Sequence, residues 1–227
     1  TAAQVPLLSQ MLVKPETSEI ARYALESIRG AEAAAVLRAG LTSLQGESLV
    51  GAVNSVAARK DQDAVAALQK LADSSDQLLG KAAIRALGSI ADGASTDFLV
   101  ARAEKAGGPT DQTLCVALLR CADAGRQAKA IYTILSRTDQ PATIRRAALE
   151  GLLRLDGKEG EATVLTWFSS EDADRRRIAA GHLHGLPDEQ LDKLLARLAD
   201  LPDAGKLAVV EVSAARRGAE MLPVVMS

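Results

Sequence analysis

Aromatic residues are scarce in this chain: one tryptophan, two tyrosines and two phenylalanines among 227 residues, 2% of the total. A core without aromatic bulk has to be filled by Ala, Leu, Val and Ile, which suits closely stacked helices. Strands would call for aromatic and β-branched residues in alternation, and no sustained period-two run is present. Cysteine is equally sparse. Cys115 and Cys121 are the only two, six residues apart on one predicted helix and so separated by about 9 Å along its axis. A disulfide does not span that distance, so both are expected as free thiols behaving as small buried apolar residues. The missing disulfide framework fits a reducing compartment without excluding export.

Other absences narrow the function. No apolar run approaches the roughly 18 residues of a membrane span. With 27 basic and 29 acidic residues the formal net charge is −2, so the chain as a whole does not attract nucleic acid or an anionic membrane. There is no glycine-rich phosphate loop, no Gly-x-Ser-x-Gly elbow and no complete set of metal ligands. Nothing calls for a cofactor or a small-molecule ligand.

What the chain does have is a repeat. In residues 81–92 the apolar side chains of Ala83, Ile84, Leu87 and Ile90 share one helical face. Ala82, Ala83, Ala86 and Gly88 crowd the same helix, so a neighbouring helix is expected to approach closely. With Ala86 as anchor, a small residue followed by an apolar one recurs at Ala24, Ala52, Ala117, Ala148, Ala179 and Ala208. The spacings after Ala86 are 31, 31, 31 and 29 residues, and those before it are 28 and 34. A period near thirty marks a solenoid, in which each unit buries its apolar face only against its neighbours.

Punctuation by Pro, Gly and capping residues divides the chain into seven helix pairs: 5–13 with 17–29, 32–41 with 47–60, 63–73 with 76–91, 96–106 with 111–122, 127–137 with 142–155, 161–168 with 172–186, and 189–198 with 204–217. Pro15 is expected to end the first helix, with Thr17 or Ser18 capping the second and Gly30 closing it in a left-handed turn. Gly46 splits the second pair, Ser74 and Ser75 are candidate caps in the third, and Gly107-Gly108-Pro109 breaks the fourth. Glu171, Asp172 and Asp174 open a helix of the sixth pair against its positive dipole end. Residues 219–227, interrupted by Pro223, read as the first helix of an eighth pair. The chain opens on Thr1-Ala-Ala-Gln with no initiator methionine or basic leader, so it reads as a mature chain or an excerpt. No linker exceeds a turn, and one continuous domain over residues 1–227 is expected.

Ile-Arg-Ala-Leu-Gly-Ser-Ile-Ala-Asp (84–92) and Arg-Arg-Ala-Ala-Leu-Glu-Gly-Leu (145–152) carry a family resemblance. Helix pairs of this length and pattern resemble HEAT repeats of the short bacterial, phycobilisome-lyase-like type. Ile20–Gly30 and Leu49–Lys60 match less well, with Glu26 and Asn54 where the best repeat has Gly88, and 179–183 departs further with His182. The resemblance covers essentially the whole chain and implies an all-α, right-handed α–α superhelix, a HEAT-like solenoid of about seven helical hairpins. Residues 21–26 and 49–56 further resemble HEAT segments of large secreted bacterial proteins, which implies a periplasmic or secreted accessory domain. The residues themselves leave the compartment open.

Candidate chemistry is thin. His182 and His184 form a His-x-His pair, but on a helix the two point roughly 200° apart. Glu171, Asp172 and Asp174 are accounted for by capping. Cys115 and Cys121 lack a basic neighbour on their own helical face to lower a thiol pKa. Trp167, Phe168, Tyr132 and Phe98 all fall on first helices, which speaks against a base-cradling glycosylase of similar fold. One feature stands out. Arg85, Arg120, Arg145, Arg146, Arg175, Arg176, Arg177, Arg216 and Arg217 all lie on second helices. In HEAT-like arrays those helices line the concave face, and the guanidinium fork suits carboxylate or phosphate. Two readings stay open: a docking ladder, carried by Arg85, Arg145, Arg146, Arg175 and Arg176, or stitches to acidic residues of the adjacent repeat.

The function expected from these features is a non-catalytic scaffold offering a preformed surface to protein partners. The alternatives are a HEAT-like enzyme of the DNA glycosylase or bilin lyase type, or a structural spacer in a multidomain secreted enzyme.

Overall fold

The structure is a computed structural model that describes residues 2–106, 108–156, 160–201 and 203–218. Those residues form fourteen α-helices joined by turns and short 3-10 segments, with no strand. The chain divides into two compact units, Thr1–Gln140 and Pro141–Ser227. The first holds α1 (Val5–Leu12), α2 (Pro15–Ser27), α3 (Ala31–Ser43), α4 (Gly46–Ala58), α5 (Val65–Leu71), α6 (Gln77–Ile90), α7 (Gly93–Lys105), α8 (Gln112–Asp123) and α9 (Ala128–Leu135). The second holds α10 (Ala142–Asp156), α11 (Gly160–Phe168), α12 (Ala173–Gly185), α13 (Asp188–Ala196) and α14 (Asp203–Arg217). The division falls between the two helices of the expected fifth pair. The predicted fragment at 219–227 lies outside the described residues, as do Gly107 and Pro202.

The helices fall where the pairs were predicted, but several caps differ. Pro15 opens α2 as its first residue, where a missing N–H costs nothing. Neither Thr17 nor Ser18 caps that helix: Thr17 instead donates its hydroxyl to the Met11 carbonyl at 2.7 Å, tying α2 back to α1. Gly30 has φ +125° and ψ 162°, and it precedes α3 rather than ending α2 in a left-handed turn. The cap of α6 is Asp76, not Ser74 or Ser75; its carboxylate accepts from the N–H groups of Leu78 and Leu79. At the far end of α6, Ala91 takes the left-handed conformation (φ 51°), and Asp92 immediately caps α7 by accepting from Ser95 N–H at 2.7 Å.

In the first unit the second helices α2, α4, α6 and α8 pack in an unbroken row. Small residues make this possible. A Cβ built at Gly88 on α6 would stand 2.5 Å from the Ala117 Cα on α8, a contact only glycine permits. Gly51 on α4 likewise leaves the space taken by Arg22 of α2, whose Nε would be 2.7 Å from an added Cβ. Arg22, Glu26 and the buried Ser55 then close a small polar knot across α2 and α4.

Burial corrects the repeat register at both ends. Ala52, Ala86, Ala117, Ala148 and Ala179 are at most 2% exposed, as anchors should be. Ala24 and Ala208 are only half-buried, and Ala21 and Val209 are fully buried in their place. Ala21 precedes Ala52 by 31 residues, so the sequence spacing of 28 reflects a misplaced anchor. The 34-residue step to Ala86 is real and holds the extra 3-10 turn Gln62–Ala64.

The core of the second unit gathers Leu149, Trp167, Phe168, Leu183, Leu191, Leu194 and Val209. Two of the chain's five aromatic side chains, Trp167 and Phe168, thus fill a shorter stack in which α11 packs against both α12 and α14.

Candidate functional site

The arginines divide into two groups. The first group is consumed by the fold itself. Arg145, on α10, is only 7% exposed and pairs with both Asp172 and Asp174 at the start of α12. It is a stitch, so Arg145 does not belong to an accessible ladder; low exposure and two carboxylate partners leave no guanidinium edge for another molecule. Asp172 is held in turn by capping α12, accepting from Asp174 N–H at 2.9 Å.

Sequence reasoning missed the commonest stitch, which uses carbonyls instead of carboxylates. Arg59, just after α4, donates to the carbonyls of Leu25 (2.9 Å), Glu26 (3.0 Å), Ile28 (2.7 Å) and Gly30 (3.1 Å). The Leu25 and Glu26 carbonyls lie in the last turn of α2, where no intrahelical N–H is left to reach them, and Ile28 and Gly30 lie in the turn that leads to α3. Arg102 reaches the Ala72 carbonyl and Asp73 beyond α5, and Arg137 reaches the Gly108 carbonyl beyond α7 at 2.9 Å. In the second unit Arg216 closes the end of α12 through the Leu186 carbonyl at 2.7 Å and the His184 carbonyl. The signal was available: each of these arginines follows its acceptor by about one repeat length.

Arg175 and Arg176 are partly engaged as well. The Arg175 Nε lies 3.7 Å from Asp172 and its guanidinium stands over the Trp167 ring at 5.9 Å. Arg176 is exposed and donates to the Ser170 carbonyl at 2.6 Å.

The second group is exposed and gathers at two clefts, one in each unit. Arg85 and Arg146 make no ion pair among the described residues. In the first unit a shallow cleft of about 400 Å³ runs over α4, α6 and α8, lined by Lys60, Arg85, Arg120, Asn54, Ser89 and three alanines. No carboxylate lines it. Arg120 is oriented there by donating to Ser89 Oγ at 2.8 Å. Asp61, beside Lys60 in sequence, is taken up by Arg38 at 2.7 Å.

In the second unit a cleft of about 450 Å³ lies between α10 and α12. Arg146, Arg154, Arg177 and the lone carboxylate of Glu150 surround a floor that includes Leu153 and Ile178. Arg177 also lies 3.5 Å from Asp174. Arg154 escaped the sequence reading, although 146, 150 and 154 follow i, i+4, i+8 spacing and so share one helical face. His182 borders this cleft, while His184 is exposed elsewhere on α12. Among the described residues, no three His, Cys, Asp or Glu side chains gather in a metal-holding arrangement.

Both cysteines are free and fully buried. Burial, reinforced by the nearby Asp111, pushes the Cys115 thiol up to about 11, and burial also raises that of Cys121. Neither is poised as a thiolate. No helix among the described residues is long and apolar enough to cross a membrane.

Residues 49–120, which run from α4 to α8, match the family model of HEAT repeats. The motif at 84–92 is therefore a HEAT repeat, as its resemblance implied. No curated protein matches the chain. Among solved structures, the complex of CpcE and CpcF of phycocyanin lyase from Nostoc sp. PCC7120 is similar at 15% identity, covering 98% of this chain and 92% of that one with a TM-score of 0.51. Human deoxyhypusine hydroxylase in complex with glycerol is 17% identical over 99% of this chain and 88% of that one, with a TM-score of 0.47. The first likeness supports an all-α, HEAT-like fold and, at that identity, speaks to the fold alone.

Proposed function

We propose that this chain is a non-catalytic scaffold whose second helices present exposed cationic clefts to a protein partner. The observation that carries this reading is the division of the arginines. The fold engages Arg59, Arg102, Arg137, Arg145 and Arg216 internally, yet leaves Arg85 and Arg146 exposed at clefts built by successive second helices. A rigid helical face costs little ordering on binding, so exposed guanidinium groups on it are well placed to recognise carboxylates. The buried, protonated cysteines count against thiol catalysis. The neighbour from Nostoc sp. PCC7120, of similar fold, is a complex of CpcE and CpcF, and a protein partner is proposed here likewise.

The test is affinity capture from the native organism with the full chain as bait, beside a variant carrying Arg85→Glu, Arg120→Glu, Arg146→Glu and Arg177→Glu. Circular dichroism establishes that the variant is folded. The same protein should be enriched by the parent and lost by the folded variant. Equal capture by both would place the partner elsewhere, and no specific partner for either would favour a structural spacer.

A further inference from the structure

Gly181 has no use within its own chain. It stands two places after the anchor Ala179, as Gly88 stands two places after Ala86. At Gly88 the space is taken up by the Ala117 backbone, whereas nothing lies within 4 Å of a Cβ added at Gly181. Its backbone is helical on both sides, so the conformation does not ask for glycine, and glycine inside a helix is destabilising. What Gly181 does is bare the backbone of α12 at the wall of the cleft between α10 and α12. An incoming main chain can approach closely there.

The charges of this cleft are ordered along it. Arg145 ties the start of α10 to the start of α12. The exposed Arg146 and Arg177 are 31 residues apart, the offset of the anchors Ala148 and Ala179. Their side chains therefore leave adjacent helices at one level, and an axial separation of about 8–10 Å keeps both within reach of one acid group. Glu150 and Gly181 share the same offset one turn further along. Leu153 and Ile178, 8% and 9% exposed, line the cleft beside them. From Arg146 to Arg154 the cleft runs about 12 Å along α10, room for only three or four extended residues at about 3.3 Å each.

An occupant must present an acid group and an apolar group together over that short span. An internal acidic residue beside an apolar one does not, because successive side chains of an extended chain point to opposite faces. The last residue of a chain does: its α-carboxylate and its side chain spring from one Cα, and its N–H is left for the Glu150 carboxylate to accept.

We infer that the cleft between α10 and α12 captures the free C-terminus of a partner protein that ends in an apolar residue. Arg146 and Arg177 hold the terminal carboxylate, and the apolar side chain lies beside Gly181 on Leu153 and Ile178. This rests on the scaffold reading and names the feature that the second unit recognises.

Fluorescence anisotropy on the full chain tests it with the peptide Gly-Ser-Gly-Ser-Gly-Leu, labelled at its N-terminus, as the free acid and as the C-terminal amide. The free acid should bind about tenfold or more tightly than the amide. Amidated Gly-Ser-Gly-Glu-Leu-Gly, whose acidic and apolar residues are internal, should bind no better than the amide. Gly181→Leu keeps every charge and, with nothing near the added Cβ, keeps the fold. By filling the cleft it should weaken binding of the free acid by about tenfold or more. Arg146→Gln combined with Arg177→Gln should bring acid and amide to equal affinity. Equal binding of acid and amide by the parent, or no binding of the acid, overturns capture of a terminal carboxylate. Binding that survives Gly181→Leu overturns the site, and tighter binding of the internal sequence overturns the inference in favour of an acidic loop. A native partner captured equally by the parent and by Gly181→Leu would overturn this inference while leaving the scaffold reading intact.

Discussion

Gly88 on α6 and Ala117 on α8 meet so closely that a Cβ on Gly88 would lie 2.6 Å from the Ala117 Cβ and 2.9 Å from its carbonyl oxygen. Neither neighbour is the end of a flexible side chain, so accommodation would require the two helices to move apart. The approach of one second helix to the next is thus set by a single missing methyl group.

Gly88→Ala should accordingly destabilise the chain by about 1–3 kcal/mol through overpacking. Gly181→Ala is the contrasting substitution. Gly181 lies within α12 with nothing within 4 Å of an added Cβ, so replacing a helical glycine there should stabilise by roughly 0.8 kcal/mol. Urea unfolding of the two variants beside the parent should show midpoints displaced in opposite directions.

Arg145 is the central tie of the second unit. Arg145→Ala leaves Asp172 and Asp174 facing each other, both mostly buried, and should cost about 3 kcal/mol. Asp172 has two tasks, and substitution separates them. Asp172→Asn keeps an acceptor for the α12 N–H groups and loses only the charge pair, so it should be less damaging than Asp172→Ala by about 1 kcal/mol. Hydrogen exchange should show the difference in the first turn of α12.

The Cys115 thiol gives the fold an alkaline weakness. Its pKa is raised to about 11 in the folded chain, so above the ordinary thiol range the unfolded chain has released a proton that the folded chain still holds. Fewer protons bound in the unfolded state mean that stability falls as pH rises, here between about 9 and 11. The melting temperature of the parent should drop more steeply over that window than that of Cys115→Ala. Below pH 8 the two slopes should coincide, and the folded parent should resist thiol alkylation.

Helix positions were legible because the signals are local. The 3.6-residue recurrence of apolar side chains and the punctuation by Pro and Gly act within a few residues of themselves. Caps were less legible, since Ser74, Ser75 and Asp76 are consecutive and each has a capping side chain. Only the backbone path shows that Asp76 accepts from α6, while Ser74 accepts from the Asp76 N–H at 3.1 Å. The repeat register slipped at its ends for a related reason: both Ala21 and Ala24 are small, and only their burial in the folded chain distinguishes them.

Periodicity, small residues and the shortage of aromatics were enough to indicate an all-α stack of repeated helix pairs, because such a fold is built from one local pattern used many times; its HEAT-like character came from the resemblance carried by 84–92 and 145–152. The role of each arginine was not accessible in that way. Arg145 and Arg146 are adjacent and chemically identical, yet one is buried between two aspartates nearly thirty residues away and the other stands exposed at a cleft. One residue along a helix turns a side chain by about 100°, and what lies in that direction belongs to the next repeat. Tertiary packing alone decides which guanidinium holds the protein together and which stays exposed at a cleft.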